Sequence, residues 1–182
     1  MTDDLRARFE GEALPHLRAV FNVAWRLTRR EDAARDLTQE AFLRAFRKFD
    51  SFASGTNCRA WLFTITYSVF VNRYRRQQRE PQIMTVDDQD SGLEQRAVSP
   101  ESRQVTTPAR AAAEADVEAA LAELPEEYRV AIILVDVEEL SYEDAAAVLA
   151  CPVGTVRSRL FRARKRLAIT LRDYDVAERR GR

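Results

Sequence analysis

The 182-residue sequence predicts an all-α protein made of two small helical domains joined by a flexible linker. Three observations carry this. Apolar residues recur at steps of three and four along most of the chain, the period of an amphipathic helix. Glycine (5) and proline (6) are scarce, leaving too few turn formers for a many-stranded β fold. One stretch, from about Pro81 to Pro108, has no sustained period, is polar and acidic, and contains Pro81, Pro100 and Pro108, which is linker chemistry. The expected divisions are 1–79, 80–108 and 109–182. Each lobe is small for an independent core, so a partner surface is expected to add to its order.

Taken in order, Asp3 to about Gly11 reads as a short polar helix. Leu14 to Thr28 sets Leu14, Leu17, Val20, Phe21, Ala24 and Leu27 at helical spacing. Glu31 to Phe49 is strongly amphipathic: Leu37, Ala41, Phe42, Ala45, Phe46 and Phe49 form one arc, and Asp36, Gln39, Glu40, Leu43 and Arg47 another. A charged face is ordinarily just solvated, but a leucine within it favours a protein contact. Ser51 to Asn57 is a loop by composition. A helix from about Arg59 to Gln78 carries Trp61, Phe63, Tyr67, Phe70 and Tyr74, the last four at steps of 4, 3 and 4. Past the linker, helical pattern runs from about Ala109 to Leu124, breaks at Pro125, and continues from Glu126 to Val137. Ser141 offers an N-cap with Asp144 as a short-armed capping-box partner. Tyr142 to Ala150 is then the first arm of a helix-turn-helix whose second helix runs from Gly154 to Leu167.

Lys+Arg and Asp+Glu balance at 29 each, but the charges are segregated. Arg73, Arg75, Arg76 and Arg79 cluster mid-chain. The helix from Gly154 to Leu167 holds six cations and no acid. At 100° per residue its Val156, Leu160, Ala163 and Leu167 fall on one side, and Arg157, Ser158, Phe161, Arg162 and Lys165 on the other. One face can bury in a core while the other enters a major groove. There, Arg157 and Arg162 suit base edges or phosphates, Ser158 suits either, and Phe161 suits a thymine methyl. The mid-chain aromatics beside arginines suit unstacked single-stranded bases. An aromatic stripe suits a core equally well, and Trp61 and Phe63 read that way. Tyr67 and Tyr74 have polar ends and belong at the stripe's edge; Asn72 should be exposed.

Other chemistries find little support. Cys58 and Cys151 lie far apart and His16 is the only histidine, which argues against a zinc site; inert packing is the expected role of both cysteines. There is no glycine-rich phosphate loop, nucleophile elbow or Cys/His pairing, so neither catalysis nor a cofactor or metal is expected. Asp87, Asp88 and Asp90 could ligate a hard cation as a nuclease would, but they lie in the acidic linker. The sequence shows neither a signal peptide nor an apolar run near the ~20 residues that span a bilayer, so a cytoplasmic protein without membrane insertion is expected. A stand-alone helix-turn-helix regulator, dimeric on two-fold sites, is the alternative reading.

Two segments together resemble the extracytoplasmic-function (group 4) sigma factors of bacterial RNA polymerase. Asp36-Leu37-Thr38-Gln39-Glu40-Ala41-Phe42-Leu43-Arg44-Ala45-Phe46, Arg59-Ala60-Trp61-Leu62-Phe63-Thr64-Ile65 and Asn72-Arg73-Tyr74-Arg75-Arg76 resemble region 2. Leu124-Pro125-Glu126-Glu127-Tyr128-Arg129, Leu140-Ser141-Tyr142-Glu143-Asp144-Ala145-Ala146 and Gly154-Thr155-Val156-Arg157-Ser158-Arg159-Leu160 resemble region 4. The resemblance implies that Asp36, Gln39, Glu40, Leu43 and Arg47 dock the clamp helices of the largest polymerase subunit. It places Phe52, Asn57, Tyr67, Phe70, Asn72, Arg73 and Arg76 at the non-template strand of the −10 element, although these helix positions do not share one face. It places Thr155, Arg157, Ser158, Phe161, Arg162 and Lys165 at the −35 duplex, and Glu126 to Leu140 at the flap of the second-largest subunit. An anti-sigma factor is a further implied partner, and the Asn72-Arg73-Tyr74-Arg75 form resembles a subgroup paired with zinc-binding ones. Ser68 and Asn72 depart from the asparagine and aspartate that members often carry there, and Ala145 from a larger aliphatic residue.

Overall fold

The computed structural model describes residues 3–79 and 108–180, with side chains over 3–73 and 113–172. The expected linker, with Asp87, Asp88 and Asp90, lies outside the described residues, except that Pro108 opens a helix. All described regular structure is helical, in two bundles: α1 (Asp3–Glu12), α2 (Leu17–Thr28), α3 (Glu31–Lys48) and α4 (Cys58–Arg79), then α5 (Pro108–Glu123), α6 (Glu126–Ile132), α7 (Tyr142–Leu149) and α8 (Val153–Arg180).

In the first bundle, α2 packs on α3 and α3 on α4. The expected start of α2 is corrected. Leu14 to His16 wind as a 3-10 turn around Pro15, and the buried face begins only at Val20, leaving Leu14 and Leu17 exposed. Acidic Glu31 and Asp32 open α3 and basic Arg47 and Lys48 close it, which complements the helix dipole. Its buried arc is the one the pattern predicts, with Leu37, Ala41, Ala45 and Phe49 inside and Phe42 and Phe46 half-buried. Phe9 of α1 meets Phe42, Phe46 and Phe49 edge-on, with ring centroids 6.3, 5.1 and 5.1 Å away. Two buried hydroxyls, Thr38 and Thr66, donate to the carbonyls four residues back, at 2.8 Å each, so neither is left unsatisfied.

In the second bundle, Pro125 caps α6 in place of a helical residue. The expected single helix to Val137 changes pitch after Ile132. Residues Ile133–Val137 form a π turn closed by the Glu138 N–H donating to the Ile133 carbonyl at 2.9 Å. Ser141 caps α7 as expected, accepting from the Asp144 N–H at 2.9 Å. The turn into α8 puts Ala150 in the left-handed region, φ 49°. α8 buries Val156, Leu160 and Ala163 against α5, α6 and α7, and runs beyond the expected Leu167.

The two bundles also pack on each other. α4 lies against α7, and one continuous buried cluster reaches from Phe9 to Ala163. This is the partner surface that two small lobes need.

Alanine in the left-handed region costs about 1–2 kcal/mol that glycine does not incur. Ala150→Gly is therefore expected to raise stability by up to about 1 kcal/mol after glycine's unfolded-state entropy is offset. Urea denaturation with an unchanged m-value would register it.

Candidate functional site

The outward face of α8 is as the periodicity predicts. Arg157, Ser158, Phe161, Arg162 and Lys165 are exposed, Phe161 to 72%, while Thr155 is half-buried at the helix start. The Ser158 hydroxyl donates to the Thr155 carbonyl at 2.9 Å, which leaves its oxygen lone pairs outward. A shallow hollow of about 380 Å³ opens on this face between Tyr142, Arg157, Leu160, Phe161, Arg164 and Lys165.

The six cations between Gly154 and Leu167 are not equivalent. Arg164 makes a bidentate pair with Asp136 of the π turn, at 2.6 and 3.0 Å, which raises its pKa further above the usual guanidinium range. Arg159 reaches Glu127 at 3.3 Å and the Cys151 thiol at 3.7 Å. Both are already matched within the bundle. Arg157 lies 5.7 Å from the Tyr142 ring centroid, and Arg166 5.5 Å from that of Tyr128. Arg162 donates to the Tyr128 hydroxyl at 3.5 Å. Arg157 and Arg166 are oriented by aromatic rings and Arg162 by a phenol hydroxyl, and none of the three has an ion pair among the described residues. The roles of Asp136, Tyr128 and Tyr142 in holding these arginines are not legible in the sequence, although the two tyrosines stand in the motifs quoted above. All three residues come from other segments, and nothing local to them marks the pairing.

The first bundle's candidates divide. Asn57 is exposed and caps α4, its Oδ1 accepting from the Ala60 N–H at 3.1 Å while its Nδ2 donates to Asp144 Oδ2 at 3.1 Å. Phe52 is the correction. Expected in a presented loop, it is only 6% exposed, stacked 5.5 Å from Phe49 and tilted against Trp61 at 5.0 Å. Its ring is therefore an anchor for the loop, joining Phe49 and Trp61 in sealing the α3–α4 corner. Tyr67 and Phe70 stack at 6.4 Å and are half-buried, so the stripe is the edge of the core as well as a surface. Phe63 is fully buried and Trp61 half-buried. Asn72 and Arg73 are exposed, and Arg73 donates to the Asp36 carbonyl at 3.3 Å. Arg76 lies in α4 with its side chain outside those described.

Arg73 thus ties the aromatic helix to the mixed-charge face of α3. On that face Asp36, Gln39, Leu43 and Arg47 are exposed and Glu40 is half-exposed. The hydrogen bond from Arg44 holds the Glu40 carboxyl below its usual pKa, and the charges of Arg44, Arg73 and Arg47 add to this. Leu43 is 45% exposed amid these charges. The two cysteines are free; burial, with Glu12 nearby, pushes the Cys58 thiol up to about 11, so it stays protonated at neutral pH. No described helix is long and apolar enough to cross a membrane.

Residues 14–80 match the family model for sigma-70 region 2, and residues 114–167 that for sigma-70 region 4. The chain is 42% identical over 171 residues to the ECF RNA polymerase sigma factor EcfG of Rhodopseudomonas palustris, spanning 94% of this chain and 87% of that one. It is 39% identical over 159 residues to the ECF RNA polymerase sigma factor SigE of Mycolicibacterium smegmatis, spanning 87% of this chain and 58% of that one. Among solved structures, it is similar to the sigma factor RpoE of Bartonella quintana in complex with the anti-sigma factor NepR. The TM-score is 0.72 at 37% identity, over 91% of this chain and 97% of that one.

The two faces of α8 make a direct test. Leu160→Ala, at a buried position, is expected to cost about 2–5 kcal/mol. Phe161→Ala, one residue on, should change stability by no more than about 0.5 kcal/mol. Thermal and denaturant unfolding of the two variants would show the contrast.

Proposed function

We propose a division of labour among the surfaces of a chain that belongs to the extracytoplasmic-function (group 4) sigma factors of the sigma-70 family. As such a factor it directs core RNA polymerase to promoters and has no catalytic chemistry of its own. The stand-alone regulator has no comparable support, since similarity to sigma factors runs through both bundles in order.

In this reading Arg157, Ser158, Phe161, Arg162 and Lys165, with Thr155 at the helix start, read the −35 element as duplex. Arg159 and Arg164 belong to the bundle instead. Asn57, Tyr67, Phe70, Asn72, Arg73 and Arg76 hold the unstacked −10 strand, with Phe52 fixing the loop from inside. Asp36, Gln39, Glu40, Leu43 and Arg47 dock the clamp helices, and the segment from Glu126 to Leu140 meets the flap. An anti-sigma factor, as NepR is for its relative, is the regulatory partner, and the cytoplasm is the place of action. The observation that carries the reading is the segregation on α8, with Val156, Leu160 and Ala163 inside and the oriented cations Arg157 and Arg162 outside.

Physically, two weak readers become strong when one platform holds both, because the second contact is made at high effective concentration. Base–aromatic stacking worth about 1–3 kcal/mol per base helps offset the opening of the −10 duplex.

Start-site mapping with reconstituted core enzyme tests the assignment. Arg157→Ala or Arg162→Ala is expected to lose a contact worth about 1–3 kcal/mol and to abolish −35-dependent transcription while core enzyme is still retained on pull-down. Leu43→Glu should do the reverse, losing core association with the second bundle still folded. Unchanged initiation by the arginine variants, or undiminished core binding by Leu43→Glu, would overturn the respective assignment.

A further inference from the structure

The recognition face holds a cation that the roles assigned above leave unused. Arg164 lines the outward hollow with Arg157, Phe161 and Lys165, and half of its side chain (51%) is open to solvent. By position it belongs with the DNA-facing set. By charge it does not, because Asp136 of the π turn accepts from two N–H groups of its guanidinium, at 2.6 and 3.0 Å. Arg159 is the contrast. Its side chain is only 23% exposed and reaches into the bundle toward Glu127 and the Cys151 thiol. Burial withholds Arg159 from a ligand; an acid withholds Arg164.

We infer that Asp136 is a specificity-determining residue of the −35 reader: it keeps Arg164 off the DNA phosphates, so that the grip of α8 on duplex rests on its base-reading side chains. This role rests on the −35 assignment above. A phosphate contact carries no sequence information, because phosphates recur along every duplex. A free Arg164 beside Arg157 would add such a contact. On random duplex the helix can settle wherever that contact is best made. On the −35 element the base contacts of Arg157 and Arg162 already fix the register, so the extra contact is made less well. Releasing Arg164 therefore strengthens wrong sites more than the right one, and specificity is the difference between the two.

The pair suits this role better than a structural one. Ile133 and Leu134 anchor the π turn in the core, and Asp136 stands on its exposed side with 32% of its side chain in solvent. An ion pair so exposed contributes only about 0–1 kcal/mol to stability. Its two parallel hydrogen bonds instead fix where the planar guanidinium points. A phosphate approaching Arg164 would also meet the Asp136 carboxylate, and the like charges repel. The fold gains little from the pair, while the recognition face loses one sequence-blind positive charge.

The test uses the free full-length chain, as wild type, Asp136→Asn, Arg164→Gln and the double variant. Fluorescence anisotropy reads binding to a duplex carrying the −35 element of a promoter mapped with core enzyme, and to a random duplex of equal length, over a series of salt concentrations. For Asp136→Asn on random duplex, the fall of log affinity with log salt should steepen by about 0.9, one phosphate contact, which amounts to about eightfold tighter binding at ~0.1 M salt. Its preference for the −35 duplex should fall. Arg164→Gln should keep the wild-type slope, since the paired cation touches no phosphate, and so should the double variant. Arg164→Gln alone stays informative should Asp136→Asn fail to fold. An unchanged slope or undiminished preference in Asp136→Asn, a flatter slope in Arg164→Gln, or a steeper slope that persists in the double variant would each overturn the role of Asp136. So would weaker binding of both duplexes by Asp136→Asn, the mark of a merely structural pair. Wild type that binds the two duplexes alike fails the −35 assignment and this role with it; wild-type preference with any of the other outcomes fails this role alone.

Discussion

Burial of one seam of α8 governs the recognition surface. Val156, Leu160 and Ala163 are almost wholly removed from solvent by packing on α5, α6 and α7. A helix held by one side has no rotational freedom, so Arg157, Ser158, Phe161, Arg162 and Lys165 must point outward together. The bundle gains stability from the same residues that aim the cations. For a protein whose work is to position another enzyme, that rigidity is the functional property.

Electrostatics then refine what packing presents. Six cations between Gly154 and Leu167 would repel each other and bind any polyanion. Asp136 and Glu127 take Arg164 and Arg159 into the fold, and Tyr128 and Tyr142 orient Arg157, Arg162 and Arg166 without cancelling their charge. The π turn has a part in this, since it carries Asp136 and delivers Glu138 in the opposite direction, toward Arg59 and Arg26. One local change of helical pitch thus serves both the recognition face and the contact between bundles.

The first bundle follows a similar economy. Phe52, Phe49 and Trp61 seal the α3–α4 corner from inside, while Asn57 caps α4 at the same corner from outside. Arg73 links the aromatic helix to α3, so the face assigned to polymerase and the face assigned to melted DNA share a side chain at their border.

The sequence by itself determined the helices, their buried faces and the outward set on α8, because those depend on a period of 3.6 residues that neighbours in the chain already express. It determined the family as well, through two motifs in order. It did not determine the direction of Phe52, since loop composition says nothing about which ring a corner will absorb. It did not determine the exposure of Leu14 and Leu17, where Pro15 displaced the start of the buried face. The sorting of α8's cations was equally hidden, because Asp136 lies 28 residues before the Arg164 it holds. Only the tertiary structure could decide that Glu118, Glu138 and Asp144 meet Arg26, Arg29, Arg59 and Asn57. Such pairs join residues about 80 to 110 positions apart, and no periodicity along a chain encodes which charges its folding will bring face to face.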